Sequence, residues 1–183
     1  AIIRARALHR AGNIAYLKSD YPLTRTLLTE ALSLSRGLGQ SAKPVLAETL
    51  DMLGELATEV GEYEQAPAFF EQALAVFREL HDPQGIASML MQLGWAAMRT
   101  GDYQTASTRL EECLPVLRKS GNTRLRAQAL AGLGELAVRQ GEFDRAHTLL
   151  DQSLALLEEL GDRWGMAAAL GSLGWLALFQ RDF

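Results

Sequence analysis

Apolar residues fall along this chain at helical spacing, and the spacing itself recurs. Around five glycines, Gly12, Gly54, Gly94, Gly134 and Gly174, the same frame is written. Leu8, Leu50, Leu90, Leu130 and Leu170 stand four positions before the glycine, and Ala11, Leu53, Leu93, Leu133 and Leu173 one before it. Ala15, Ala57, Ala97, Ala137 and Ala177 stand three after it. An i, i+3, i+7 series lies on one stripe of an α-helix, so each frame predicts a first helix with a narrow buried seam. Gly and Ala within that seam let a neighbouring helix approach closely. The glycines are 42, 40, 40 and 40 residues apart, and a constant period of that size marks a repeat architecture.

Seven positions after each glycine the pattern breaks. Gly61, Gly101 and Gly141 stand there, with Ser19 and Arg181 in the first and fifth frames; glycine can take the left-handed conformation that closes a helix. An acid follows, Asp20, Glu62, Asp102, Glu142 or Asp182, placed to cap a second helix. Then comes an aromatic residue, Tyr21, Tyr63, Tyr103, Phe143 or Phe183, to pack over the turn. The second helix alternates small and bulky positions: Ala66, Ala106 and Ala146, then Leu28, Phe70, Leu110 and Leu150, then Ala73, Cys113 and Ser153. Packed helices interlock through such alternation. Asp82, Asn122 and Asp162 are placed to cap the next first helix, with Pro83 at a first helical position.

The prediction is an all-α solenoid of antiparallel helix pairs, a single array over 1–183, with repeats 1–42, 43–82, 83–122 and 123–162 and a fifth first helix in 163–183. The two extra residues of the first repeat fall in Gly37–Pro44. Pro115 lies well inside the second helix of the third repeat, where its neighbours carry Ala75 and Ala155. It removes the bond to the Glu111 carbonyl and clashes with it, so a kink or early helix end is predicted there. The stop at Phe183 leaves the seam of the last helix without its partner within the repeat, which predicts a longer array or self-association through that helix.

This frame resembles the tetratricopeptide repeat, matched in the fourth repeat by Leu130, Leu133, Gly134, Ala137, Ala146 and Leu150. It departs from that pattern in its 40-residue period, against a usual length of about 34. The aromatic residue three after the glycine has also become Ala. The phrases LGELA, GEYEQA, FFEQALAVFREL and LGDRWGMAAAL are similar to the sensor arrays of bacterial STAND signalling ATPases and related transcriptional regulators. Leu-Gly-Asn adaptor repeats carry Asn after the glycine. Here only Asn13 does so, with Glu55, Trp95, Glu135 and Trp175 in the other frames. The resemblance implies a right-handed superhelix whose first helices line a concave groove. It also implies a non-catalytic protein- or peptide-binding scaffold, the sensor segment of a larger bacterial signalling or transcriptional regulator. The alternative is a sensor of a small molecule or a pheromone peptide in the same groove.

Charge and chemistry narrow this further. A net charge of -4, a pI near 5.4 and the absence of any Lys/Arg run argue against direct nucleic-acid binding. The longest uncharged run, Gly165–Phe179, is too short for a membrane span and is interrupted by Gly171, Ser172 and Gly174. One cysteine cannot form an internal disulfide, which favours a cytoplasmic setting. No phosphate-loop motif occurs, and the G-x-G-x-x-A match at Gly132–Ala137 lies inside a repeated helix. His9, His81 and His147 have no zinc-ligand spacing, and Cys113 occupies a small packing slot. No cofactor, metal or catalytic set is expected, so the chain reads as a binding protein.

The candidate binding face follows from angles. At about 100° per residue, the stripe of the first helix opposite its buried seam collects offsets -6, -3, -2, +1, +4 and +5 from the glycine. In the second repeat this stripe reads Glu48, Asp51, Met52, Glu55, Thr58 and Glu59. The first repeat offers Arg6, His9, Arg10 and Asn13. The third offers Met91, Trp95, Met98 and Arg99, the fourth Glu135 and Arg139, and the fifth Trp175 and Phe179. An acidic centre flanked by aromatic anchors suits a basic, partly apolar peptide or protein helix. The bland alternative is a solvated face neutralised by Arg6 and Arg10.

Overall fold

The computed structural model describes residues 1–181, without the side chains of Trp175, Phe179, Gln180 and Arg181. Asp182 and Phe183, the capping acid and turn aromatic expected of the fifth repeat, lie outside the described residues. Among the described residues every regular element is helical. Two compact units divide the chain, Ala1–Ala96 and Ala97–Phe183. The first holds α1 (Ile2–Leu17), α2 (Tyr21–Arg36), a short 3-10 turn (Gly39–Ala42), α3 (Lys43–Glu59), α4 (Ala66–Glu79) and most of α5 (Pro83–Thr100). The second holds the last turn of α5, α6 (Tyr103–Ser120), α7 (Thr123–Gln140), α8 (Phe143–Leu160) and α9 (Arg163–Arg181).

Three hairpins lock at their glycines, two in unit 1 and one in unit 2. A Cβ on Gly12 would lie 2.8 Å from Leu28 Cδ2, one on Gly54 2.4 Å from Phe70 Cε1, and one on Gly134 2.7 Å from Leu150 Cγ. The bulky residue of the second helix therefore fills the space that the missing side chain vacates. A second contact of this kind joins a second helix to the start of the next first helix. A Cβ on Gly85 would lie 2.2 Å from Phe77 Cδ1 and one on Gly165 2.5 Å from Leu157 Cδ2. In unit 2 the buried Ser153 hydroxyl donates to the Ala127 carbonyl at 2.8 Å, tying α8 to α7. Cys113 is a packing residue: burial pushes its thiol up to about 12, and Sγ donates to the Leu110 carbonyl at 3.0 Å.

The turns obey the local chemistry with two exceptions. Gly61, Gly101 and Gly141 have φ of 85°, 80° and 77°, and Ser19 takes the same region at 58°. Asp20, Asp102, Asn122 and Asp162 each accept from the amide three residues on, at 3.1 Å. Asn122→Ala is expected to lower the stability of unit 2 by about 1 kcal/mol, read as a shift in the midpoint of urea unfolding. The two glutamates differ. Glu142 makes no side-chain cap to α8. Glu62 precedes a turn, so that α4 starts only at Ala66, and it pairs instead with Arg25 at 2.8 Å. The extra methylene of Glu carries its carboxylate past the amide that Asp reaches.

The helix does not end at Pro115. α6 runs unbroken from Tyr103 to Ser120 with Pro115 inside it. Pro115 is exposed, so its ring and the freed Glu111 carbonyl face water. The buried Leu110, Cys113 and Leu117 hold the helix in place on either side.

Candidate functional site

The stripe opposite the seam gathers its charge in unit 1. Along α3 stand Glu48, Asp51, Glu55 and Glu59, which recur at helical spacing on one face. Glu48 and Glu59 are exposed, whereas Asp51 and Glu55 are half-buried. Asp51 Oδ1 is buried with no hydrogen-bond partner. Burial, together with the neighbouring Glu55 and Glu48, pushes its carboxyl up to about 7. Burial also raises Glu55, whose Oε1 accepts from Gln92 Nε2 of α5 at 3.3 Å.

α1 supplies the facing wall. The Thr49 hydroxyl gives its one proton to the Val45 carbonyl at 2.6 Å, so at 3.3 Å it is an acceptor for His9 Nδ1–H. Nε2 of the same ring faces Glu48 Oε2 at 3.8 Å, an ion pair only when the ring carries both protons. Burial holds His9 below its ordinary value, Glu48 opposes that shift and Arg10 adds to it. Tyr16 and Tyr21 meet with ring centroids 6.0 Å apart, tilted by 53°, and Tyr21 donates to Glu59 at 3.4 Å. Burial, Glu55 and Glu59 raise the Tyr16 hydroxyl. Chemically, this face has an excess of acceptors. It can take protons or the N–H groups of a cation, and it offers two tyrosine rings beside them.

The predicted residues separate into several groups. His9, Asn13, Glu48, Asp51, Glu55 and Glu59 lie on α1 and α3, and Trp95 is half-buried on α5. Arg6 and Arg10 are exposed and make no ion pair with a carboxylate among the described residues, so neither arginine neutralises the acidic face by direct pairing. Met91 and Met98, expected on the groove wall, are 2% and 8% exposed and serve as core. In unit 2, Glu135 and Arg139 pair with each other at 2.8 Å, one turn apart on α7. Arg99 is exposed and already has an interaction, and the Trp175 and Phe179 side chains lie outside the described residues. Gln92 and Tyr16 were not among the predicted residues, although both stand at the same outward offsets, two before Gly94 and four after Gly12.

Among the described residues, no group of His, Cys, Asp and Glu is arranged to hold a metal ion, and no helix is long and apolar enough to cross a membrane. A family model described as tetratricopeptide repeat matches residues 3–79 and 85–159. No curated protein matches the chain by sequence. Solved structures do match in fold. Aspartyl phosphate phosphatase F from Bacillus subtilis has a TM-score of 0.86 at 14% identity, over 99% of this chain and 50% of its own. The Rap conjugation gene regulator of the plasmid pLS20, in complex with the Phr* peptide, has a TM-score of 0.75 at 16% identity, over 92% and 46%. A signal transduction ATPase with a tetratricopeptide repeat sensor, from Pyrococcus horikoshii, has a TM-score of 0.85 at 10% identity, over 93% and 26%. The chain thus spans half or less of these proteins, and identities this low speak for the fold alone.

Proposed function

The chain belongs to the tetratricopeptide repeat family, and from that premise we propose that it is a non-catalytic peptide- or protein-binding segment of a larger cytoplasmic regulator. Its repeats would act as one array, and the first-helix face of unit 1 would receive a basic, partly apolar segment of the partner. The observation that carries this reading is Asp51, whose Oδ1 is buried without a donor beside Glu55 and Glu48. Burying an unpaired acceptor is costly, and an incoming lysine or arginine would relieve that cost. Trp95 and the pair Tyr16 and Tyr21 supply flanking aromatic surface of the kind that concentrates binding energy. The fold neighbours lend support of a coarser kind: the Rap regulator was solved with a peptide, and the Pyrococcus protein carries its repeats as a sensor. One neighbour is named a phosphatase, and that activity is a property of that protein.

The test is selection of peptides from a random display library on the purified chain. Selected peptides should be rich in Lys and Arg interleaved with apolar residues, and raising salt should weaken them. The variant Glu55→Gln/Trp95→Ala should bind about tenfold or more weakly, roughly 1.4 kcal/mol, with its helical circular dichroism retained. A selection without basic preference, or unchanged affinity in that folded variant, would overturn the reading.

A further inference from the structure

A second concavity lies in unit 2, remote in sequence from the acidic face. Helices α6, α7 and α8 enclose a half-open groove of about 380 Å³, a volume within the range of small-molecule pockets. Its floor is Leu114, Leu130 and Leu156, and its polar residues are Arg118, Arg126 and Gln152. The floor is continuous with the core cluster of Ala127, Leu157 and Ala169.

The arginines set this groove apart. Elsewhere in unit 2, Arg124, Arg139 and Arg145 each pair with a carboxylate. The side chains of Arg118 and Arg126 have neither ion pair nor hydrogen bond among the described residues, although Arg126 is half-buried. The repeat register sharpens the contrast. Eight positions before the glycine the second, third and fifth repeats carry Leu46, Ile86 and Met166, where the fourth carries Arg126. The first repeat also has an arginine there, Arg4, and it is ion-paired with Glu30. The counterpart of Glu30 in the fourth repeat is Gln152. The guanidinium is kept while its carboxylate is replaced by a neutral amide. Arg36, the counterpart of Arg118, donates to Gln72 at 2.8 Å, whereas Arg118 and Gln152 make no such bond.

A half-buried cation over an apolar floor, stripped of the counter-charge that an equivalent position supplies, favours an anion from outside. The guanidinium fork matches a carboxylate in two-point geometry, and the leucines match an aliphatic body. We propose that this groove binds a small amphipathic carboxylate, its head on Arg118 and Arg126 and its chain on Leu114, Leu130 and Leu156.

Octanoate is the probe, titrated into the whole chain by calorimetry, with octanol and inorganic phosphate as controls. Octanoate should bind saturably and at least tenfold more tightly than either control. Gln152→Glu, which restores the internal carboxylate of the first repeat, should weaken octanoate at least tenfold while leaving the melting temperature near that of the parent. Arg126→Leu, the residue of the second repeat, should do the same. Failure of octanoate to saturate, equal binding of octanol or phosphate, or unchanged binding by Gln152→Glu would each overturn the proposal. Gln152→Glu decides the matter even where Arg126→Leu fails to fold. Glu55→Gln/Trp95→Ala should bind octanoate as the parent does, so failure of the peptide-binding reading and failure of this one are separable.

Discussion

Phe70→Ala should lower the unfolding free energy of unit 1 by about 3–5 kcal/mol, and Gly54→Ala by about 1–3 kcal/mol. The double variant should lose less than the sum of the two. Phe70 is 1% exposed and its ring fills the space over Gly54, where a Cβ would sit 2.4 Å from Cε1 and 2.6 Å from Cδ1. A methyl at that distance forces the ring off its rotamer or pushes α3 away from α4. Removing the ring empties the same space and gives the methyl somewhere to go, so the two changes compensate. Unfolding in urea followed by circular dichroism, on all four members of the cycle, gives the coupling energy. Stacked repeats need not unfold in one step, so the comparison is of midpoints in the transition that the Phe70 variant displaces. Strict additivity would show that a methyl at position 54 does not meet the Phe70 ring and that the contact drawn between them is absent.

That cycle rests on a contact already written in the order of residues, because Gly54 and Phe70 stand at fixed places in a frame repeated along the chain. The frame also carried the left-handed turns at Gly61, Gly101 and Gly141 and the caps at Asp102 and Asn122, all set within a few residues. The contacts of Gly85 with Phe77 and Gly165 with Leu157 were not legible in this way. Their place is taken by Leu125 in the fourth repeat, so no frame-wide rule announces them. The early helix end expected at Pro115 does not occur for a related reason: the buried residues on both sides bind the helix to its neighbours. For the candidate face, helical angles put Glu48, Asp51, Glu55 and Glu59 together on one side of α3. Angles give direction and not depth. They could not say that Asp51 Oδ1 would be buried, that Met91 and Met98 would be core, or that Arg6 and Arg10 would leave the acids unpaired. The mutual pairing of Glu135 and Arg139 could have been read from their i, i+4 spacing.

Asp51→Asn should stabilise the protein at pH 8 by about 2–4 kcal/mol and change little at pH 4. The sign follows from the direction of the shift. The folded state pushes the Asp51 carboxyl up to about 7 from an ordinary 3.8, so between those values the folded chain holds a proton that the unfolded chain has released. Stability from this group is fully present below the unfolded value and is lost as pH rises through the folded one. Asparagine keeps the shape, cannot ionise, and brings a donor to a place that lacks one. The charged groups around Asp51 act in the same sense: Glu48 and Glu55 repel its anion from either side along α3. Burial shifts His9, the α1 group facing Glu48, toward its neutral form, and Gln92 of α5 adds no charge. Chemical denaturation of both proteins at pH 4, 6 and 8 reads the difference directly. A cationic side chain seated beside Asp51 would reverse the repulsion and expel the proton, so a basic peptide should bind more tightly as pH rises through 7, and Asp51→Asn should flatten that dependence. Equal stability of the two proteins at pH 8 would mean that the carboxylate is solvated, and the electrostatic vacancy attributed to this face would then not exist.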